Sequence, residues 1–399
     1  MTIQLRFYIF LLFSLWLPIA MGANVVPPSA EMESVIEQLE PQITRALKTS
    51  GAPGVAVGIV EGNDIVYLRG FGVRAKNQSA KIDTRTVFRI ASVSKTFAST
   101  LTGVLVEEGI LDWQDKVVAY LPTFSLKSAQ YTQQLTLHHL LTHTGGLPSY
   151  SYDNLVEARV PYSTIVSRLR QLNVKCAPGK CYNYQNVLYS VIGDVLKART
   201  GKTYEQLLQE KLLFPLDMRD TSMRYEAFIN HPNHAKPHVR NKKGWTAVSV
   251  RPAYYAVQPA GGLNASVEDM AKWLQAQMGA RPDVISPHVI ADITKPVIET
   301  PNERTRSWHA KWRRERLKKA YYARGWRIFD YAGHEMVYHN GGLQGFRSEI
   351  AYLPEKKVGI VILWNAGPVV SSTILPNFLD LTLDLPKRDW IQLASASSK

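Results

Sequence analysis

Apolar residues recur every three or four positions through EMESVIEQLEPQITRALKT, residues 31–49, and this spacing predicts a helix. GVAVGIVEGNDIVYLRGFGV, residues 54–73, reads as two strands about a turn at Gly62, Asn63 and Asp64. A further helix is expected from near Ser92 to about Glu108. Between about 110 and 290 several helical periods follow one another, broken by Pro and Gly. One covers Tyr189–Arg199. Another starts at Ser266, where Ser266 and Asp269 are placed for a capping box. The pattern then changes to period two. GWRIFD, EMVYHN, RSEIAYLP and VGIVILWN predict four strands, with turns at Tyr331–Gly333, Gly341–Gly345 and Glu355–Lys357 and a last helix over 371–382. Strands at both ends with helices between them imply one sheet drawn from distant parts of the chain. The middle is then a helical insertion. There is no internal repeat and no low-complexity tract.

Composition is that of a globular protein: 399 residues, 45% hydrophobic and 20% charged. The N-terminus combines a short basic start, MTIQLR, with the apolar run FYIFLLFSLWLPIAMGA and small residues at Gly22 and Ala23. It reads as a secretory signal over residues 1–23 and so predicts a periplasmic or extracellular protein. An uncleaved anchor is the alternative, although the run is short for a span and no cysteine follows it to carry a lipid. The only cysteines are Cys176 and Cys181. In an exported protein they form a candidate disulfide that closes a very small loop, worth about 2 kcal/mol; otherwise they are two thiols.

Net charge is +14, and much of it lies in RTRSWHAKWRRERLKKAYYARGWR, residues 304–327. Basic residues interleaved with Trp308, Trp312 and Trp326 can mark nucleic-acid binding. Export argues against a nucleic-acid partner. That leaves contact with a cell-wall polymer or anionic membrane surface, or a solvated basic insertion.

Three short stretches carry the chemistry. In RIASVSKTF, residues 89–97, Lys95 follows Ser92 by three positions, so the two share a helix face roughly 5–6 Å apart at Cβ. A desolvated lysine loses basicity and can relay a proton to a serine, whose own hydroxyl is a poor nucleophile. At a helix start the Ser92 N–H is also free to face a developing oxyanion. In CYNYQNVLYSVIG, Tyr184 and Asn186 stand two apart before a helix, on one side of an extended turn. A tyrosine near cationic lysines is expected to have a depressed pKa and to serve as a base, and an asparagine offers a donor and an acceptor to an amide. In YHNGGLQGFRSEI the glycines Gly341 and Gly342 allow a substrate backbone to pair along a strand edge, and His339 binds an anionic group if protonated.

SVSK, YQN and HNG, in this order and at these separations, resemble the serine β-lactamase and penicillin-binding superfamily in its class C-like branch. LLTHTGGLP at 140–148, APGKCYNYQNVLYSVIGDVL at 177–196, FPLDMRDTSM at 214–223 and PAGGLNASVEDMAKWL at 259–274 strengthen the resemblance, which covers about residues 35–380. It implies an α/β (α+β) fold, an antiparallel sheet flanked by helices with an inserted all-helical domain. In this chain the sheet domain corresponds to 31–110 plus 290–385, the helical part to 111–289, and a tail to 386–399. The resemblance makes Ser92 the acylated nucleophile, Lys95 its proton partner, and Tyr184 the general base and later acid. Asn186 then orients the substrate amide, and the N–H groups of Ser92 and Gly342 form the oxyanion hole. Neither cofactor nor metal is implied.

The third motif departs from the family pattern: His339 and Asn340 stand where many relatives carry lysine and threonine or serine. A histidine of ordinary pKa, near 6.5, is mostly neutral above pH 7 and holds a carboxylate less firmly than lysine. The expectation is therefore an exported serine acyl-hydrolase for D-amino-acid peptides or small esters, with possible β-lactam hydrolysis. A true class C β-lactamase and a non-catalytic peptidoglycan-peptide-binding protein are the alternatives. His334 and His339 lie five apart on a strand and so face opposite sides. His231, His234 and His238 occupy a Pro-broken loop without a partner ligand, and His143 reads as structural. There is no GxSxG elbow and no phosphate-cradling Gly-Lys loop.

Overall fold

The computed structural model describes residues 23–305, 311–367 and 373–396. Almost the whole expected signal segment, 1–23, lies outside them, as does Trp308. Among the described residues no helix is long and apolar enough to cross a membrane.

Helix α1, Ala30–Ser50, begins where the Ser29 side chain accepts the Met32 N–H, with Glu31 and Glu33 in the first turn. Its buried stripe is Met32, Val35, Leu39, Ile43 and Ala46, the spacing anticipated from sequence. Strands β1, Gly54–Glu61, and β2, Asp64–Gly72, form the hairpin. The remaining strands of the sheet all follow residue 297: β3, Ile298–Glu299; β4, Leu317–Tyr322; β5, Arg327–Tyr331; β6, His334–Leu343; β7, Phe346–Leu353; and β8, Val358–Trp364. Among the described residues they make one eight-stranded sheet in the order β2-β1-β8-β7-β6-β5-β4-β3, antiparallel throughout. The glycine-rich end of β6 continues the strand to Leu343, so the turn is shorter than the Gly341–Gly345 expected.

Every residue of VGIVILW in β8 is buried because both faces of the sheet are covered. Ile360, Ile362 and Trp364 join α1 and helix α6, Ile374–Thr382, in one core. Val361 and Leu363 join the other core, with helix α2, Ser94–Glu107, helix α3, Asn186–Thr200, and helix α4, Val267–Gln277. Although α4 lies inside the stretch assigned to the helical part, it packs on β1 and β8. Gly58 and Gly359 make room for it: a Cβ at either would fall 3.0–3.4 Å from Val267, Ala271 or Leu274. Ser266 caps α4 by accepting the Asp269 N–H. The reciprocal half of the expected box is replaced, because the Asp269 carboxylate instead accepts from Asp220 N at 2.8 Å and Thr221 Oγ1 at 2.7 Å.

The basic stretch is not a solvated face. Its described residues form helix α5, Lys311–Arg316, and then β4, which the period-two reading did not anticipate. Arg313, Arg316, Arg324 and Arg327 turn inward, and each meets a carboxylate: Glu303, Asp380, Asp292 and again Glu303, at 2.5–2.9 Å. Trp312 and Trp326 are buried beside them. Only Arg304, Arg314, Lys318 and Lys319 of its described basic residues are well exposed. Asp380 also accepts from Tyr331 Oη at 2.7 Å and Trp390 Nε1 at 3.0 Å, so one carboxylate joins α5, β5, α6 and helix α7, Trp390–Ala396. Removing one partner of a buried ion pair leaves the other charge uncompensated. Asp380→Ala is expected to cost about 3 kcal/mol in urea unfolding. Lys318→Ala, on the exposed edge, should stay within about 0.5 kcal/mol.

Candidate active site

The strand pair of Phe88–Arg89 with Asn264–Ala265 delivers the chain to a tight turn. There Ala91 takes φ +50°, a left-handed value costing about 1–2 kcal/mol in a residue with a side chain. Ser92 follows within a short 3₁₀ turn, just ahead of α2 instead of on its first α-helical residue. The turn is pinned from two sides. Ser94 Oγ donates to Ala91 O and accepts from Leu263 N, and Ser348 Oγ of β7 donates to Ile90 O at 2.6 Å. β6 lies directly on it: a Cβ at Gly341 would fall 2.2 Å from Ile90 O and 3.0 Å from Ser92 N. Gly341 thus permits the close approach, and Gly342 follows it at the cavity wall.

One turn along, Lys95 is completely buried. Its Nζ lies 3.5 Å from Ser92 Oγ, 2.7 Å from Asn186 Oδ1 and 2.8 Å from Ala260 O. The rings of Tyr184 and Tyr189 approach it at 4.6 and 5.3 Å. Loss of water, reinforced by the nearby Arg327 charge and opposed by Asp153, puts its pKa well below the ordinary lysine value.

Tyr184 reaches Ser92 from a second loop. His143, itself at φ +57°, holds that loop: its carbonyl accepts Asn183 N at 2.9 Å, its Nδ1 accepts Gln185 N at 3.1 Å, and its ring lies 4.2 Å from the Tyr184 ring. The structural reading of His143 therefore matches its position. Tyr150 N donates to Tyr184 O at 2.8 Å, and a Cys176–Cys181 disulfide closes the approach to the loop. The expected depression of the Tyr184 pKa is reversed. Burial pushes the phenol well above its ordinary value, and only part of this is offset by Arg327 and a hydrogen bond with Ser92.

His339 also departs from expectation. It is fully buried and does not line the cavity. Its Nδ1 faces its own residue's neighbour, Asn340 O, at 2.9 Å, and its Nε2 faces Tyr322 Oη at 3.3 Å. A carbonyl only accepts, so Nδ1 carries the proton and Nε2 accepts from the phenol. Burial, with Arg327, Lys95 and Arg313 nearby, holds its pKa well below 6.5. His339 thus sits behind the cavity surface, where burial disfavours the protonated form that binding a carboxylate would need.

Arg327, at the start of β5, is the cationic side chain that lines the cavity. Its guanidinium carbon lies 5.7 Å from the Tyr184 ring centre and 5.4 Å from that of Tyr322, and Glu303 sits 2.8 Å from Nη1. Asn340 and Gly342 of β6 join Ser92, Tyr150, Asp153, Tyr184, Asn186 and Arg327 around a polar cavity of about 350 Å³. Asp153 Oδ2 accepts from Asn186 Nδ2 at 2.7 Å and lies 3.4 Å from Tyr254 Oη. Sequence reasoning singled out neither Asp153 nor Arg327. An arginine opening an otherwise apolar strand, RIF, was the available signal for the second; Asp153, in a tyrosine-rich loop, gave none.

Residues 39–380 match the family described as Beta-lactamase. An unguisins hydrolase of Aspergillus violaceofuscus is 26% identical over 390 residues, covering 88% of this chain and 66% of that protein. Protein flp of Staphylococcus aureus is 24% identical over 332 residues, covering 82% of this chain and 63% of its own length. The chain thus spans a little under two thirds of these relatives. The octameric penicillin-binding protein homologue of Pyrococcus abyssi superposes with a TM-score of 0.76 at 27% identity, covering 88% of this chain and 78% of that one. EstCE1, a hydrolase with promiscuous acyltransferase activity, shares the fold with a TM-score of 0.74 at 17% identity, covering 88% and 98%. With its antiparallel sheet and this match over most of its length, the chain belongs to the Beta-lactamase family.

Proposed function

We propose that the protein is an exported serine hydrolase that acts through an acyl-Ser92 intermediate on amide or ester bonds, with short D-amino-acid peptides or small esters as substrates and β-lactam hydrolysis as a side activity. The hydrogen-bond arrangement at Lys95 carries the reading. Asn186 Oδ1 and Ala260 O take two of its N–H groups. The remaining tetrahedral position faces Ser92 Oγ, and in a neutral amine that position is a lone pair. The lowered pKa favours that neutral form. Lys95 then accepts the serine proton as Ser92 Oγ bonds to the substrate carbonyl carbon, and the N–H groups of Ser92 and Gly342 receive the oxyanion. Tyr184, protonated at rest, supplies a proton to the departing amine or alcohol. Water takes the same path in reverse to release the acid. The hydrolase relative supports this reading, and the disulfide supports export into an oxidising compartment.

Labelling by a fluorophosphonate is expected to be lost in Ser92→Ala and to persist in Ser99→Ala; equal labelling of Ser92→Ala would remove the assignment. Lys95→Met should lower the acylation rate by about 10²–10⁴-fold, the usual worth of a positioned base. Gly341→Ala, which forces β6 off the nucleophile turn, should lower kcat/KM by about 10²-fold with little change in far-ultraviolet circular dichroism.

The pH profile follows from the same groups. With the Lys95 pKa below its ordinary value, kcat/KM should rise as pH climbs through that lowered pKa and reach its plateau well before pH 10.5. With the His339 pKa held well below 6.5 by burial, KM for a carboxylate-bearing substrate should show no histidine-like step between pH 6 and 8. A step there, abolished by His339→Gln, would restore the anion-binding role.

A further inference from the structure

Two charged side chains face the cavity, one of each sign: Asp153 and Arg327. Arg327 has its counter-charge in Glu303, but Asp153 has no cation in direct contact among the described residues. Its Oδ2 is met by an amide and a phenol, and its buried Oδ1 has no hydrogen-bond partner. Lys95, with which it interacts electrostatically, is separated from it by the Asn186 side chain and already has two acceptors of its own. A carboxylate that is largely removed from water and holds only neutral donors is an incomplete site. Three short contacts lead to it from the nucleophile, through Lys95 and Asn186. It lies on the Asn186 side of Ser92, while Arg327 stands beside Tyr184, the group assigned to the departing half.

We propose that Asp153 selects substrates whose acyl group carries a free ammonium, so that the cavity takes unblocked aminoacyl amides and short peptides in preference to N-acylated ones. The proposal rests on the acyl-Ser92 reading. The ammonium completes the coordination of Asp153 by a charge-assisted hydrogen bond, while an acetylated nitrogen loses the charge and adds bulk at the same place. A site that leaves a buried polar group unpaired discriminates strongly against the analogue lacking its partner.

The test compares D-alanine p-nitroanilide with N-acetyl-D-alanine p-nitroanilide, using the full chain and its Asp153→Asn and Asp153→Glu variants. The wild type is expected to prefer the free amine by about tenfold or more in kcat/KM. The ratio should fall close to one in Asp153→Asn and recover in part in Asp153→Glu. A wild-type ratio at or below one overturns the proposal without any variant, as does failure to turn over either anilide. If Asp153→Asn lowers both substrates equally and leaves the ratio unchanged, Asp153 serves only to position Asn186 and Lys95, and the proposal fails. Fluorophosphonate labelling of the same preparations separates these outcomes from failure of the nucleophile assignment: Ser92-dependent labelling with the wrong ratio rejects Asp153 alone, and absent labelling rejects the parent reading.

Discussion

An amine held out of water is expensive, and the arrangement around Lys95 follows from that cost. The side chain is completely buried, touches a carboxamide, a backbone carbonyl and a serine hydroxyl, and has aromatic faces on two sides. Among the described residues no carboxylate contacts it directly. Desolvation therefore dominates, and the neutral form gains. The same effect weakens the fold. The unfolded chain binds a proton at this lysine up to about pH 10.4, while the folded chain releases it earlier. Between the two pKa values stability rises with pH, so at neutral pH the residue destabilises the native state. That cost is consistent with a residue kept for chemistry and not for packing.

The surrounding scaffold supplies rigidity where the contacts are least favourable. Among the residues with side chains that take left-handed backbone values are Ala91, just ahead of Ser92, and His143, under the tyrosine loop. Such conformations persist only where neighbours over-determine them. Here Ser94 and Ser348 tie the first, while the peptide groups of Asn183 and Gln185 tie the second. The strained segments are thus anchored to β7, to the strand at Asn264–Ala265 and to the start of α3, none of which they could leave without losing buried hydrogen bonds.

The fold was legible wherever periodicity reports one covered face or two. The stripe of α1, the hairpin at Gly62 and the four strands from β5 to β8 all appear in the apolar pattern. β4 was hidden because KK in LKKAYY breaks the alternation at the sheet's outer part. Ser92, Lys95, Tyr184 and Asn186 could be picked out because short motifs keep them at fixed spacing; the fold brings Ser92, Tyr184 and Asn186 to one cavity, with Lys95 buried against Ser92 and Asn186. Their electrostatics could not. A basic run looks solvated until Glu303, Asp292 and Asp380 are seen folded against it. Likewise His339 and Tyr184 have ordinary pKa values on paper, and the burial that moves them in opposite senses is a property of the tertiary structure.

The order of strands also determines when the site can exist. β1 lies between β2 and β8, with Val55 opposite Trp364, so its second neighbour is made only after nearly the whole chain has been synthesised. The Ser92 turn likewise waits for Ser348 and Gly341. Such long-range pairing gives a high contact order and slow folding. A nascent chain that has released only its first half carries Ser92 and Lys95 without the strand that seats them. Assembly of the Ser92 turn therefore waits on pairings that span most of the chain.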